Sequence, residues 1–284
     1  LVLMVFFIAV CGPSLAPYDA TQQDLLQRRL PPTADHLLGF DEFGRDILSR
    51  VLVGARYTLG VALLAVSIGL IIGVTLGLIS GFYGSWIDTV LMRLTDTLMA
   101  FPYLLLAIVI VGALGPGLNN AILAVGISAM PSYARVTRAT VLALRENEYV
   151  LAARAVGSTD GRIITRHILP NALAPIIVVA TVGMAQAILS AAGLSFLGLG
   201  AQPPTPEWGA MLSAGRSYLF DAPHIATFPG IAIVLPMLGF NLLGDGLRDA
   251  VTGPGARTSW VTLTANAWSN HSVRGAFGGR RSPD

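Results

Sequence analysis

The sequence contains no lysine, and this absence excludes two kinds of chemistry. All 18 basic residues are arginines. A P-loop needs a lysine on the β- and γ-phosphates, so the chain cannot bind and hydrolyse ATP by that route. Schiff-base catalysis needs a lysine amine and is excluded for the same reason. No other residue indicates covalent chemistry, and we predict no catalytic residue.

Cysteine and charge are also scarce. Cys11 is the only cysteine, which excludes an intrachain disulfide and a cysteine-based metal site, and we predict no metal site. Only 12% of the 284 residues are charged, 54% are hydrophobic, and the mean hydropathy is +0.67. A soluble domain carries about 25% charged residues. The apolar residues occur in long runs, which indicates lipid as the solvent and predicts an all-α membrane protein.

Five stretches are long and apolar enough to be membrane-spanning helices, which need roughly 20 predominantly apolar residues. They are residues 57–80, 86–113, 118–142, 170–197 and 227–247. The second includes Pro102, and we expect the third to be broken at Pro131.

The N-terminal segment, residues 1–17, has two interpretations. Ser14-Leu15-Ala16 resembles a small-residue cleavage site, as at the end of a signal peptide. No basic residue precedes the apolar stretch, however, and we favour a first transmembrane helix truncated at its N-terminus. With this helix, the predicted fold is a polytopic bundle of about six transmembrane helices.

The arginines predict the orientation of the bundle, because cytosolic loops carry an excess of them. If the loop at 135–168 is cytosolic, twelve arginines lie inside and six outside, which places both termini in the cytosol. We predict an extracytoplasmic loop at 18–56 and a transmembrane domain at 57–251, with a cytosolic loop at 146–170. The tail at 252–284 is rich in Gly, Ser and Arg and is predicted to be disordered.

The segment 148–170 is predicted to form a helix, a break and a second short helix. Ala152-Ala153 favours a helix and has little side-chain bulk. Gly157 can adopt the left-handed conformation that ends a helix, and residues 158–160 are good N-caps. Pro170 suits the first turn of the next span. We therefore predict a compact elbow between two membrane helices, with small residues that let another protein approach closely. The alternative interpretation is an ordinary polar connection between two spans, which explains the same residues.

This segment resembles the EAA loop of ABC importer permeases, whose pattern is Glu-Ala-Ala, three residues, Gly, nine residues, Ile, one residue and Leu-Pro. In this sequence, Leu151 stands in place of the Glu and His167 in place of the Ile. In the family, the loop docks into a cleft of the ATP-binding subunit and transmits its closure to the membrane helices. The coupling residues that the resemblance implies are Ala152, Ala153, Gly157, Arg162, Leu169 and Pro170.

Longer stretches resemble one branch of this family, the dipeptide, oligopeptide and nickel permeases of the DppC and OppC type. They are residues 38–46, 49–50, 54–56, 92–96, 194–200, 202–209 and 241–249. The resemblance implies a permease subunit of an ATP-driven, binding-protein-dependent importer in the cell membrane, working by alternating access. It implies a second homologous permease, two ATP-binding subunits that hold ATP and Mg²⁺, and an extracytoplasmic solute-binding protein. Di- and oligopeptides are the branch's commonest cargo, but nickel, glutathione and other solutes use the same scaffold.

Two residue pairs outside the elbow are further candidates. Arg93 and Asp96 are three residues apart and share a helix face, so they form either a mutual ion pair within the bundle or a gating or inter-permease contact. Glu207-Trp208 lies in a proline-rich loop at 198–226. It is either an interfacial anchor or a contact for a solute-binding protein.

Two other classes of membrane protein fit the sequence less well. Gly193-Leu-Ser195 resembles part of a serine nucleophile turn, but all four histidines lie in loops or the tail, where none can act as a base within a span. An ion-coupled secondary transporter should carry carboxylates near the membrane midplane. The span acids Asp88, Asp96 and Asp245 lie toward the cytosolic ends instead. The ion-coupled carrier remains the alternative function.

Overall fold

The computed structural model describes residues 1–252, and every regular element within them is helical. The α-helices are α1 (Val2–Leu15), α2 (Ile47–Tyr83), α3 (Ser85–Met99), α4 (Tyr103–Leu114), α5 (Leu118–Leu144), α6 (Glu148–Ala155), α7 (Asp160–Ile163), α8 (Leu169–Phe196), α9 (Trp208–Gly215) and α10 (His224–Thr252). The chain forms two compact units, Leu1–Gly244 and Asp245–Asp284, and the contacts discussed below lie within the first. Apart from Thr252, the predicted tail lies outside the described residues.

Within residues 1–252, three helical runs are long and apolar enough to cross a membrane: Ile47–Tyr83, Asp160–Phe196 and His224–Val251. Helices α3 and α4 add a fourth if this bent pair forms one span. The predicted all-α membrane architecture is therefore confirmed. Helix α1 is apolar but only 14 residues long, and α5 has 27 residues but is more polar, so the count of six spans stays a prediction.

Residues 86–113, predicted as the second span, do not form one straight helix. Helix α3 ends at Met99 and α4 begins at Tyr103, with an angle of 91° between them. The cause is Pro102, which lacks an N–H and disfavours the helical conformation in the residue before it. The break predicted at Pro131 is wrong, because α5 continues through this residue. Membrane helices tolerate an internal proline where neighbouring helices satisfy the freed backbone groups.

Helices α2 and α5 pack closely along a stripe of glycines. Gly69, Gly73, Gly77 and Gly81 are spaced four residues apart on α2 and face α5. A Cβ atom at Gly73 would lie only 2.6 Å from the carbonyl oxygen of Met130. Small residues at this spacing let membrane helices approach to backbone contact. The glycine stripe therefore brings α2 and α5 into close contact.

The N-terminal part of α2 is polar and begins before the predicted apolar span. The helix starts at Ile47 rather than Tyr57, because Asp46 caps it by accepting a hydrogen bond from the Ser49 amide at 2.7 Å. Arg50 is buried and donates to the carbonyl oxygen of Ala20 at 2.9 Å. The preceding loop is therefore held against the start of α2.

The loops predicted to be extracytoplasmic meet at this end of α2. His224, at the start of α10, contacts the carbonyl oxygen of Phe40 at 3.2 Å. The elbow lies at the other end, against Phe82 near the C-terminus of α2. Because α2 has 37 residues, roughly 55 Å separates its two ends. The elbow and the two loops are therefore on opposite sides of the bundle, as the predicted orientation requires.

Candidate functional site

The first half of the elbow, residues 148–157, is a short helix closed by a glycine. Helix α6 ends at Ala155, and Gly157 has a φ of +84°. The Gly157 amide donates to Arg154 and the Ser158 amide donates to Ala153, both at 3.0 Å. These two bonds form a Schellman motif, in which a left-handed residue closes the helix. The predicted role of Gly157 as a helix terminator is confirmed.

The second half of the elbow is continuous with the membrane helix, whereas the sequence predicted a separate short helix. The chain is helical without a break from Asp160 to Phe196, through α7, a π-helical segment at Ile164–Ile168, and α8. Within it, the Leu169 amide donates to Ile164, five residues earlier. The widened π turn accommodates Pro170, whose ring would otherwise clash with the preceding turn. No non-helical residue therefore separates α7 from α8.

The elbow is anchored by its own small apolar core. Val150 and Ala153 from α6 pack with Ile163 and Ile168, and this cluster lies against Phe82 and Val141 at the ends of α2 and α5. Arg154 also covers the Phe82 ring, with its guanidinium carbon 5.6 Å from the ring centroid. The elbow thus has a fixed orientation relative to the bundle.

The opposite face of the elbow is open and partly apolar. Of the predicted coupling residues, Ala152, Gly157, Arg162 and Pro170 are exposed, Leu169 is half-buried and Ala153 is buried. Sequence reasoning missed Val156, which is 82% exposed, and gave no role to Leu151, which is 49% exposed. The sequence contained a signal for both residues, because each is the neighbour along the chain of one of the small residues of α6. The outer surface of the elbow therefore combines small residues with two exposed apolar side chains.

The predicted ion pair between Arg93 and Asp96 does not form. Asp96 instead accepts from Nη2 of Arg135 on α5 at 2.6 Å, and Arg93 is exposed. A second pair joins Asp88 to Arg138, with 2.6 Å between Oδ2 and Nη2. The sequence contained a signal for both, since arginines three residues apart on α5 share a face. These pairs tie α3 to α5, and a gating role for Arg93 stays a prediction.

Glu207 and Trp208 lie inside the protein, which contradicts both roles predicted for them. Their exposed fractions are 1% and 3%. Glu207 caps α9 by accepting from the Ala210 amide at 2.9 Å, and it accepts from Thr58 on α2 at 3.2 Å. The Trp208 indole donates to the carbonyl oxygen of Val51 at 3.0 Å. The two residues therefore hold α9 against α2, and burial raises the pKa of the Glu207 carboxyl.

The structure thus defines a multi-helix membrane protein with a packed elbow whose outer surface is exposed. Among residues 1–252, no group of three or more His, Cys, Asp or Glu side chains is placed to hold a metal ion. Residues 73–252 match the family described as the inner membrane component of binding-protein-dependent transport systems, and the chain belongs to this family.

Curated relatives cover most of the chain. It is 52% identical over 244 residues to the dipeptide transport system permease protein DppC of Alkalihalophilus pseudofirmus, covering 86% of this chain and 80% of that protein. It is 47% identical over 251 residues to the glutathione transport system permease protein GsiD of Pectobacterium atrosepticum, covering 88% and 83%. The resemblance to ABC importer permeases of this branch is confirmed. The relatives are transport permeases, in agreement with the predicted transport subunit.

Solved structures share the fold. An inward-facing MetNI methionine ABC transporter chain matches with a TM-score of 0.57 at 21% identity, over 72% of this chain and 97% of that one. An amino acid ABC transporter crystallised with histidines matches with a TM-score of 0.53 at 18% identity, over 69% and 91%. Membership of this family places the chain among inner-membrane components and implies partnership with ATP-binding and solute-binding components.

Proposed function

We propose that this chain is one permease of an ATP-driven importer of short peptides. In this importer a second homologous permease completes the path, two ATP-binding subunits hold ATP and Mg²⁺, and an extracytoplasmic binding protein delivers the solute. Both termini of the chain lie in the cytosol. The names of the relatives support a peptide solute over nickel, because a dipeptide and glutathione are both short peptides.

One observation carries the proposal: the elbow joins an exposed docking face to an unbroken membrane helix. Leu151 on α6 and Val156, directly after its end, are exposed, while α7 continues into α8 as one helical run, Asp160–Phe196. In the proposed cycle, ATP binding closes the ATPase subunits and moves the elbow. Helix α8 follows because no flexible link separates it from α7, and the path reopens outward. An ion-coupled carrier would have no need of this docking face.

The test compares Ala152→Trp with Ala34→Trp in the complete transporter. Both alanines are exposed, one on the elbow and the other in the loop at the opposite end of α2. ATP-driven uptake of labelled alanyl-alanine into proteoliposomes and co-purification of the ATPase would be measured. We expect the Ala152 variant to lose both and the Ala34 variant to keep both. Uptake driven by a proton gradient without ATP, or an unimpaired Ala152 variant, would contradict the proposal.

A further inference from the structure

A cavity of about 230 Å³ lies between α4, α5 and α8, away from the elbow. Its polar lining consists of Tyr103 from α4, Ser132 and Tyr133 from α5, and Gln186 from α8. Ser132 and Gln186 are exposed, so the cavity opens on the side of the bundle where they lie. Polar side chains in the middle of membrane helices are costly in lipid and usually serve a function.

Tyr133 is the most informative of these residues. Its side chain is buried, with an exposed fraction of 3%, and its hydroxyl lies against Gly183, which also lines the cavity. Within the described residues this hydroxyl has no hydrogen-bond partner, whereas the Tyr103 hydroxyl donates to the carbonyl oxygen of Val125 at 3.2 Å. The hydroxyl is not among the fully enclosed polar atoms that lack a partner, so it reaches the space of the cavity. A group that enters the cavity can therefore accept its hydrogen bond.

Gln186 supplies the complementary group. Its amide nitrogen makes one long contact, 3.4 Å to the hydroxyl of Ser190, and its amide oxygen has no partner among the described residues. The cavity thus offers a hydroxyl donor from Tyr133 and a carbonyl acceptor from Gln186. A peptide bond presents the matching pair, because its C=O accepts and its N–H donates.

The lining contains no charged residue. The nearest arginine along α5, Arg135, is paired with Asp96. A charged group in the cavity would lose its hydration without gaining a counter-ion, whereas a neutral amide gains hydrogen bonds. The cavity is also smaller than the roughly 300–1,000 Å³ of a pocket that encloses a whole ligand. It therefore fits one part of a solute.

We propose that this cavity is a subsite that binds a neutral amide of the peptide during transit, with Tyr133 donating to the carbonyl and Gln186 accepting from the N–H. The proposal rests on the peptide-import function and adds the contacts that select the solute inside the membrane. Tyr103 and Ser132 supply the other polar side chains that line the cavity.

The experiment uses the complete transporter and two probes, labelled alanyl-alanine and its ester analogue, which has oxygen in place of the amide N–H. We expect Tyr133→Phe and Gln186→Leu to raise the KM of dipeptide import roughly two- to tenfold, the effect of one lost hydrogen bond. The wild type should prefer the amide over the ester, and Gln186→Leu should lose this preference. Tyr57→Phe, on α2 and outside the cavity lining, is the matched control and should import like the wild type.

The outcomes separate the two proposals. If the wild type imports no peptide on addition of ATP, the proposed function fails and the subsite fails with it. If the wild type imports peptide but the variants behave like Tyr57→Phe, only the subsite is overturned. Equal losses for amide and ester would overturn it as well, because a side chain of the partner permease filling the cavity gives that result. Thermal unfolding of Tyr133→Phe checks that the fold is intact.

Discussion

Asp96 on α3 is paired with Arg135 on α5, 39 residues further along the chain, at 2.6 Å. The two side chains are 55% and 53% exposed. The neighbouring pair, Asp88 and Arg138, is less exposed, at 19% and 31%. Two ion pairs therefore join the same two helices in different environments, and the difference predicts unequal contributions to stability.

We expect Asp88→Asn to destabilise the protein more than Asp96→Asn. Asp88 binds Arg138 through two nitrogens and also accepts from Ser80, so its loss leaves two partners unpaired and costs about 1–3 kcal/mol. Loss of the exposed pair costs about 0–1 kcal/mol. Thermal unfolding of the purified protein measures both. The exchange Asp88→Arg with Arg138→Asp should recover part of the loss, and failure to recover any would argue against a direct pair.

The glycine stripe predicts a position-dependent effect of one methyl group. Gly73→Ala should lower stability by about 1–3 kcal/mol, since its Cβ would lie 2.6 Å from a backbone oxygen of α5 and the two helices would have to separate. A Cβ at Gly60, on the same helix, would have no atom within 4 Å, and Gly60→Ala should be neutral or stabilising by up to about 1 kcal/mol. Equal unfolding midpoints for the two variants would contradict close packing of α2 on α5.

Local features of the fold could be predicted from the sequence, and features that depend on packing could not. The end of α6 at Gly157 is set by bonds within five residues, and the apolar runs marked the long helices. The partner of Asp96 was missed because spacing along one helix indicated Arg93, whereas the actual partner comes from another helix. Glu207 was placed on a surface because its partner Thr58 is 149 residues away.

The conformation of Gly157 predicts that asparagine can replace it and valine cannot. No atom lies within 4 Å of a Cβ at this position, so any effect comes from the backbone, whose φ is +84°. A left-handed conformation costs an ordinary residue about 1–2 kcal/mol and a branched one more, while asparagine tolerates it. Gly157→Val should therefore reduce ATP-driven uptake and ATPase co-purification, and Gly157→Asn should retain most of both. Equal uptake by the two variants would show that the helix ending is not needed for coupling.

Because the carboxyl of Glu207 is buried, we expect the stability of the protein to depend on pH. Burial raises its pKa above the unfolded value of about 4.3, so the protonated form is favoured in the fold. The stability contributed by this group is fully present below the unfolded pKa and is lost as the pH rises through the folded pKa. Relative to Glu207→Gln, the wild type should become more stable as the pH falls from above the folded pKa of this carboxyl toward its unfolded pKa.

The measurement is the thermal midpoint of each protein across this pH range, plotted as wild type minus variant. Glu146→Gln removes a carboxylate that is 70% exposed and pairs with Arg145, and it controls for the loss of one glutamate. Because the glutamine amide in Glu207→Gln does not titrate, the difference curve isolates the buried carboxyl. A flat difference for Glu207→Gln, or one that matches Glu146→Gln, would mean that the carboxyl titrates alike in the folded and unfolded protein. The Glu207 side chain, which caps α9 and contacts α2, would then be accessible to water.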